Sequence, residues 1–556
     1  MYQLIENISI QRRFVNLESR QVHYRISGAG PVLLLLHQSP TSSAEKATII
    51  EDFANDFTVI APDTPGFGLS DYIETLTPDI TLYAEALKEF TDALGLDQIC
   101  IYGFHTGAII AAEMARLYPD LCNAVVVNGL VVLEPDEEEK ILRHYTQWFT
   151  PTPEGTHLPW VWARIREQLI FFPWFQKEKE VRLNIDLPDP KFMQPYVLDL
   201  LRSTAKSQTA YQAAFMYPSR ERIQEINTPT FLLNYAGDPI AEHPKRLKQL
   251  SKSVTIELLP DTPSLEDRAR EIFKQFSNES NSALNQDDSS MNVGRKNFVQ
   301  TSKGPLFYYS DGDETDEIML VLHDFSQSSK SMIHMSDRFN PKYRKIFIDL
   351  PGHGETGPTH LTNYSPQSIM QMIVEALKAI EIKNIEIASL GVSSSIALLL
   401  SQHTDLNVKR LLLIEPWCLN KEEREDFSEH YAPDLSPSVF GEHLLKAWYF
   451  IRDSELFFPW HQAKESNALK REPDIDPSLV HERTVDALKS GEALKLVAKD
   501  LIGYDIQPDL ANIKTEITIF SWIGNGKENY AEKMNLLLEN STIEFLPDDK
   551  SMWSID

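Results

Sequence analysis

The sequence predicts two α/β domains in tandem, each a mostly parallel sheet flanked by helices and interrupted by one helical insert. Three observations carry this prediction. First, the chain repeats itself: His37 returns as His323, Asp63 as Asp349, Gly66 as Gly352 and Gly68 as Gly354, each 286 positions on (323 − 37). Phe171-Phe172-Pro173-Trp174 returns as Phe457-Phe458-Pro459-Trp460 at the same offset. A constant offset over so long a stretch marks a duplicated domain, because solenoid periods are far shorter. Second, runs such as Val32–Leu36 are apolar without interruption, as a parallel sheet covered on both faces requires. Third, strand signals alternate with helical stretches.

In the first copy, Val22–Ile26 and Val32–Leu36 read as strands, the second running into His37. A helical stretch leads to the strand Thr58–Ala61 and the glycine-rich turn from Asp63 to Gly68. A helix over Leu82–Leu94 precedes the strand Gln98–Tyr102, the pentapeptide Gly103-Phe104-His105-Thr106-Gly107 and a helix over Ala108–Leu117. After the strand Ala124–Val127 comes a helical insert over about 130–225, then the strands Thr230–Tyr235 and Val254–Leu259. The first domain is expected over 1–276 and the second over 296–556, with its own insert over about 416–508. Between them, 277–295 is rich in Asn, Ser and Asp and reads as a flexible linker.

Composition sets the function class. The 556 residues are 42% hydrophobic and 24% charged, as in soluble globular chains. A net charge of −28 argues against nucleic acid or an anionic membrane surface as partner, since both reward Lys and Arg. The start, Met1 to Arg13, lacks the apolar core of a signal peptide, and the apolar runs are too short to span a bilayer. Cys100, Cys122 and Cys418 are sparse and odd in number, which points to a reducing, cytoplasmic setting.

The element order closely resembles the α/β-hydrolase superfamily, in the capped branch with haloalkane dehalogenases, epoxide hydrolases and C–C bond hydrolases. The residues that carry the resemblance are His37 at a strand end, the Asp63-x-Pro65-Gly66-x-Gly68 turn, Gly103 and Gly107, and Gly237-Asp238-Pro239. It covers nearly all of both copies, and it specifies the fold without specifying a substrate.

The resemblance implies a nucleophile elbow at Gly103–Gly107, an acid on a late loop and a histidine after the last strand. The chain departs from that pattern. His105 stands at the nucleophile position and Asp238 at the acid position, while Leu259-Pro260-Asp261-Thr262-Pro263-Ser264 carries no histidine. The second copy has lost more. Gly391 stands where His105 would be, Gly524-Asn525-Gly526 replaces the acid loop, and Leu546-Pro547-Asp548-Asp549-Lys550 again lacks histidine. It is expected to be catalytically silent.

An imidazole at the elbow is a poor acyl-enzyme nucleophile but a capable acid or base. With Asp238 beside it, and an oxyanion hole from the Thr106 N–H and one of Gln38 or Ser39, it suits proton abstraction next to a carbonyl. That describes a lyase, isomerase, cyclase or water-activating hydrolase acting on a small carbonyl- or carboxylate-containing molecule. The competing reading is an inactive pseudo-hydrolase that binds a ligand or partner protein. A hydrolase using Ser39 or Ser42 comes third, because both belong to the oxyanion loop.

The two inserts also agree with each other. His144-Tyr145 matches His430-Tyr431, Gly155 matches Gly441, His157 matches His443, Trp162 matches Trp448, and Arg166 matches Arg452. Trp162 and Arg166, four apart, share a helix face. In the capped branch the insert closes the pocket, so His37, His144, His157, Trp162 and Arg166 are candidate substrate-binding residues. Arg166 would suit a carboxylate, although packing or a salt bridge explains the same residues. No cofactor motif is visible. The four histidines His37, His105, His144 and His157 lack HxxxH or HxH spacing, so no metal is expected. His243 as a displaced base and Glu415 as a relocated acid are weaker candidates, and Asp63 and Asp349 read as turn caps. Partners are expected to be a small molecule and, within the chain, packing of one domain on the other.

Overall fold

The computed structural model describes residues 10–75, 77–277, 295–314 and 316–547. Most of the expected linker, and Asp548-Asp549-Lys550, lie outside the described residues. By contact the chain forms two compact units. One comprises Met1–Thr150 with Trp160–Gly294, and the other Pro151–Pro159 with Arg295–Asp556.

The first unit is built on an eight-stranded sheet: β1 Gln11–Asn16, β2 Gln21–Ser27, β3 Val32–Leu36, β4 Thr58–Pro62, β5 Ile99–Phe104, β6 Cys122–Asn128, β7 Thr230–Tyr235 and β8 Val254–Leu259. Its order is β1-β2-β4-β3-β5-β6-β7-β8. The β1–β2 and β2–β4 pairs are antiparallel and the rest parallel. Every residue of β3 and β4 is buried, which is why their sequences show no polar alternation. Strand β1 was not legible, because Gln-Arg-Arg-Phe-Val-Asn offers only two adjacent apolar residues to one edge.

The second unit repeats the plan with β9 Lys296–Thr301, β10 Gly304–Asp311, β11 Glu317–Leu322, β12 Tyr343–Ile348, β13 Asn384–Leu390, β14 Asn407–Ile414, β15 Glu516–Trp522 and β16 Ser541–Leu546. Its order, β9-β10-β12-β11-β13-β14-β15-β16, is that of the first sheet.

In the first unit, apolar clusters fill both faces of the sheet. One gathers Leu34, Leu36, Ile101 and Val125 with Phe90 and Met114 from the flanking helices. The other gathers Leu33, Leu35, Tyr102 and Val126 with Phe53 and Phe273. Strand β5 turns directly into the helix Thr106–Leu117, which is buried over its first ten residues. The turn is tight because glycine occupies both flanks. A Cβ on Gly103 would lie 2.3 Å from the Gly107 carbonyl oxygen, and one on Gly107 would lie 2.5 Å from that of Leu36.

The helical insert lies between β6 and β7. It comprises the helices Pro135–Lys140, His157–Gln168, Pro190–Arg202 and Ala205–Phe215, with a π turn over Ile141–Tyr145. In the second unit the corresponding stretch holds the helices Lys421–His430, Glu442–Ser454 and Pro477–Ser490. No helix among the described residues is long and apolar enough to cross a membrane.

Candidate functional site

His105 sits at the strand-to-helix turn with φ +48° and ψ −106°. A β-carbon residue with positive φ in this setting is strained and is held there by the strand before it and the helix after it. Its amide donates to the Asn128 carbonyl and its carbonyl accepts from Ile109, so the backbone is pinned on both sides. The side chain is thereby aimed into a cavity of about 880 Å³.

Asp238 meets it there. Its Oδ2 lies 3.2 Å from His105 Nε2, and its Oδ1 accepts from the Ile240 amide at 2.8 Å. The carboxylate side chain is 1% exposed and the imidazole 32%. Burial works to raise the Asp238 pKa, but the His105 imidazole and the Ile240 amide outweigh it and hold the carboxyl below its ordinary value. An ionised Asp238 makes Nε2 the protonated ring nitrogen, which leaves the lone pair on Nδ1. The imidazole stacks on Phe104 with ring centroids 4.1 Å apart. The Phe104 ring also meets Lys46, whose ammonium lies 3.7 Å from its centroid and pairs with Glu45 at 3.1 Å.

The expected oxyanion residues line the same cavity, but not all their amides are free. The Gln38 N–H donates at 3.3 Å to the Glu45 carboxylate, which the Gln38 side chain also bonds at 3.0 Å, a stronger acceptor than a hydroxyl. The Ser39 N–H donates to the Thr106 hydroxyl at 3.3 Å, a long bond that a carbonyl oxygen can displace. The Thr106 N–H opens the helix and has no intrahelical partner. Ser39 Oγ is buried without a hydrogen-bond partner among the described residues.

The five substrate-binding candidates are not in this cavity. His37 is buried below it as a scaffold residue. Its Nδ1–H donates to the Gln38 carbonyl at 2.7 Å and its Nε2 accepts from the Thr64 amide at 2.9 Å. His144 packs beside Phe175 at 5.3 Å, and it is the next residue, Tyr145, that reaches the cavity wall. His157 belongs to the second unit, where its Nε2 lies 2.9 Å from His481 Nδ1. Burial and His481 lower its pKa to about 3. Trp162 is buried, and Arg166 is half-buried beside Glu167 at 3.4 Å. Helical spacing placed these side chains on common faces; it did not say which face the cavity adjoins.

Other expectations resolve locally. Asp63 accepts from the Ser43 and Leu69 amides and from His23, so it ties the turn together. His243 is buried, accepts from the Val132 amide at 3.1 Å and does not line the cavity, so it is no displaced base. Ser42 caps a short turn and bonds Asp199, away from the cavity. Among the described residues no group of three or more His, Cys, Asp or Glu converges as metal ligands.

Two residues with functional bearing were missed. Gly129 leaves the space that the His105 ring fills. Arg182 lines the cavity and is exposed, with no ion pair among the described residues. The repeat carries a signal for Gly129: its counterpart at the 286 offset is Glu415, a large acid that follows the apolar strand run Leu411-Leu412-Leu413-Ile414. Arg182 sits in an irregular segment that carries no periodicity.

With this geometry in view, comparison with known proteins places the chain. Residues 31–263 match the sequence model of the alpha/beta hydrolase fold family. The first unit thus carries the alpha/beta hydrolase fold, and the second sheet, with the same strand order, repeats that fold in tandem. It is similar to an uncharacterised hydrolase of Saccharomyces cerevisiae, 32% identical over 111 residues, which are 20% of this chain and 38% of the relative. It is also similar to haloalkane dehalogenase 2 of Mycobacterium tuberculosis, 33% identical over 119 residues, 21% of this chain and 42% of the relative. These alignments span about two-fifths of the length of the curated relatives. Among solved structures, E-2-(acetamidomethylene)succinate hydrolase is 17% identical with a TM-score of 0.38, covering 48% of this chain and 99% of the other.

Proposed function

We infer that the first unit is an acid–base catalyst acting on a small carbonyl- or carboxylate-containing molecule, with His105 as the base and Asp238 as its orienting partner. The observation that carries this reading is the 3.2 Å His105–Asp238 contact at the wall of a large cavity, on a chain with hydrolase and dehalogenase relatives. Asp238 fixes the ring so that the Nδ1 lone pair is available. A substrate C–H next to a carbonyl loses its proton to Nδ1, the C–H electron pair forms the C=C bond of an enolate, and the carbonyl π pair moves onto oxygen. That oxygen is received by the Thr106 N–H and by the Ser39 N–H, once the latter leaves the Thr106 hydroxyl. The same base can instead take a proton from a water that attacks the carbonyl, giving hydrolysis without an acyl-enzyme. The second unit, with Gly391 at the elbow, is read as non-catalytic.

One observation favours the alternative, a binding pocket without chemistry: the Ser39 amide is already bonded to Thr106 Oγ1. The two readings separate in one experiment. The whole protein is incubated with a panel of ketones, 2-oxo acids and esters, products are followed by mass spectrometry, and the intact protein is weighed during turnover. The catalytic reading expects turnover that His105→Gln abolishes, with no ligand mass retained on the protein. Saturable ligand binding without turnover establishes the alternative.

A further inference from the structure

The second unit places a carboxylate on the amide pair that corresponds to Ser39 and Thr106 of the first. The counterparts of Ser39 and Thr106, at an offset of 286, are Phe325 and Val392. The Phe325 amide donates to Asp324 Oδ1 at 2.8 Å and the Val392 amide donates to the same oxygen at 2.9 Å. Both hydrogen bonds are of ordinary strength and both are buried.

The elbow has changed to admit this carboxylate. A Cβ on Gly391 would lie 2.0 Å from Asp324 Cγ and 2.1 Å from Oδ1, closer than any real contact, so the side chain lost at position 391 is replaced in space by that of Asp324. The first unit shows the converse pairing, with His105 at the elbow and Gln38, whose side chain turns away to Glu45. Around the Asp324 carboxyl, Lys527 Nζ is 4.0 Å from Oδ2. A cavity of about 140 Å³ adjoins, lined by Asp324, Phe325, Trp417, Arg483 and Lys527 among others. It has room for roughly four waters.

We propose that the paired Phe325 and Val392 amides form a carboxylate-binding site whose resident ligand is the chain's own Asp324. The second unit is therefore closed to a substrate carbonyl by occupation, in addition to lacking a nucleophile. The site takes a small free carboxylate once the Asp324 side chain is removed. Nothing in this depends on the chemistry assigned to the first unit.

The test uses the full chain and acetate as probe, with chloride at matched ionic strength as control. Thermal unfolding of the native protein, Asp324→Ala and Asp324→Asn is followed across an acetate titration. Asp324→Ala is expected to gain a saturable acetate-dependent rise in melting temperature, with an apparent affinity at least roughly tenfold above that of the native chain. Asp324→Asn, whose amide oxygen still accepts both N–H groups, is expected to respond as the native chain does. An Asp324→Ala response equal to the native one overturns the proposal. If Asp324→Ala does not fold by itself, acetate is added to it as a refolding ligand. Recovery of the native far-UV circular dichroism that saturates with acetate and is absent with chloride is expected, and no recovery overturns the proposal.

Discussion

Gly129 has no side chain at the place where the ring of His105 lies: a Cβ there would fall 2.2 Å from Cδ2 and 2.7 Å from Nε2. The same Cβ would be 3.4 Å from Asp238 Oδ2. Gly129 also has φ +80°, which an L residue adopts at a cost. Gly129→Ala is therefore expected to push the imidazole off Asp238 and lower turnover by roughly 100-fold or more. Circular dichroism should show the fold retained. Unchanged kcat/KM in Gly129→Ala would show that the observed ring position is not the working one.

Asp238→Asn keeps the shape of the loop but replaces the acceptor that fixes the ring. The amide can donate to Nε2, which moves the ring proton to Nδ1 and removes the base. Turnover is expected to fall on the order of 10² to 10⁴-fold. Binding of a substrate analogue, measured by calorimetry, should change little by comparison.

Thr106→Ala removes the hydroxyl that holds the Ser39 amide at 3.3 Å and leaves the Thr106 backbone donor in place. A neutral or improved kcat is expected, with a stability loss of about 1 kcal/mol or less. A large fall in kcat would mean that the hydroxyl itself touches the substrate.

Arg182 lines the cavity without an ion-pair partner among the described residues. For substrates bearing a carboxylate, Arg182→Gln is expected to raise KM by roughly 10- to 100-fold, and for neutral analogues to leave it nearly unchanged. Equal effects on both substrate classes would make Arg182 a packing residue.

Acid should destabilise the fold well above the carboxylate range. Burial lowers the pKa of His23, His243, His323 and His443 to about 4, and of His157 and His353 to about 3. Each is neutral in the folded chain at pH 5, whereas in the unfolded chain it takes up a proton below its ordinary 6.5. The unfolded state then binds more protons, so stability is complete above pH 6.5 and declines as pH falls toward 4. Asp199 and Asp349, raised to about 6 by burial, act in the opposite sense. Glu266, Asp324 and Glu415, raised by burial, and His334, raised by Glu482, act in that same opposite sense. The six buried histidines, held at about 3 to 4, are expected to dominate, so that the urea midpoint drops between pH 6.5 and 4.5. A midpoint that is flat or rises over that window would contradict the burial of these rings.

The fold was readable because its signals are local and repeated. Val32–Leu36, Thr230–Tyr235 and Val254–Leu259 form strands at the expected residues, since apolar runs bounded by turn chemistry leave few alternatives. The elbow was readable too, as the glycines at 103 and 107 are demanded by backbone approach rather than by function. The insert was not. Periodicity placed Trp162 and Arg166 on one helix face, but which face meets the cavity depends on how helices pack across long sequence separations. Arg182 and Gly129 lay outside any periodic pattern. The Asp324 plug required knowing that two amides 67 residues apart converge on one oxygen, a fact that belongs to the sheet and not to either segment.

The most direct test of the central claim is deuterium exchange at carbon. The whole protein and its His105→Gln variant are incubated in D₂O with a panel of ketones and 2-oxo acids, and isotope incorporation next to the carbonyl is followed by mass spectrometry. An acid–base His105 predicts protein-dependent exchange into at least one compound, reduced at least roughly 100-fold in the variant. Exchange or turnover that persists in His105→Gln would contradict it, and so would a ligand mass covalently retained on the protein.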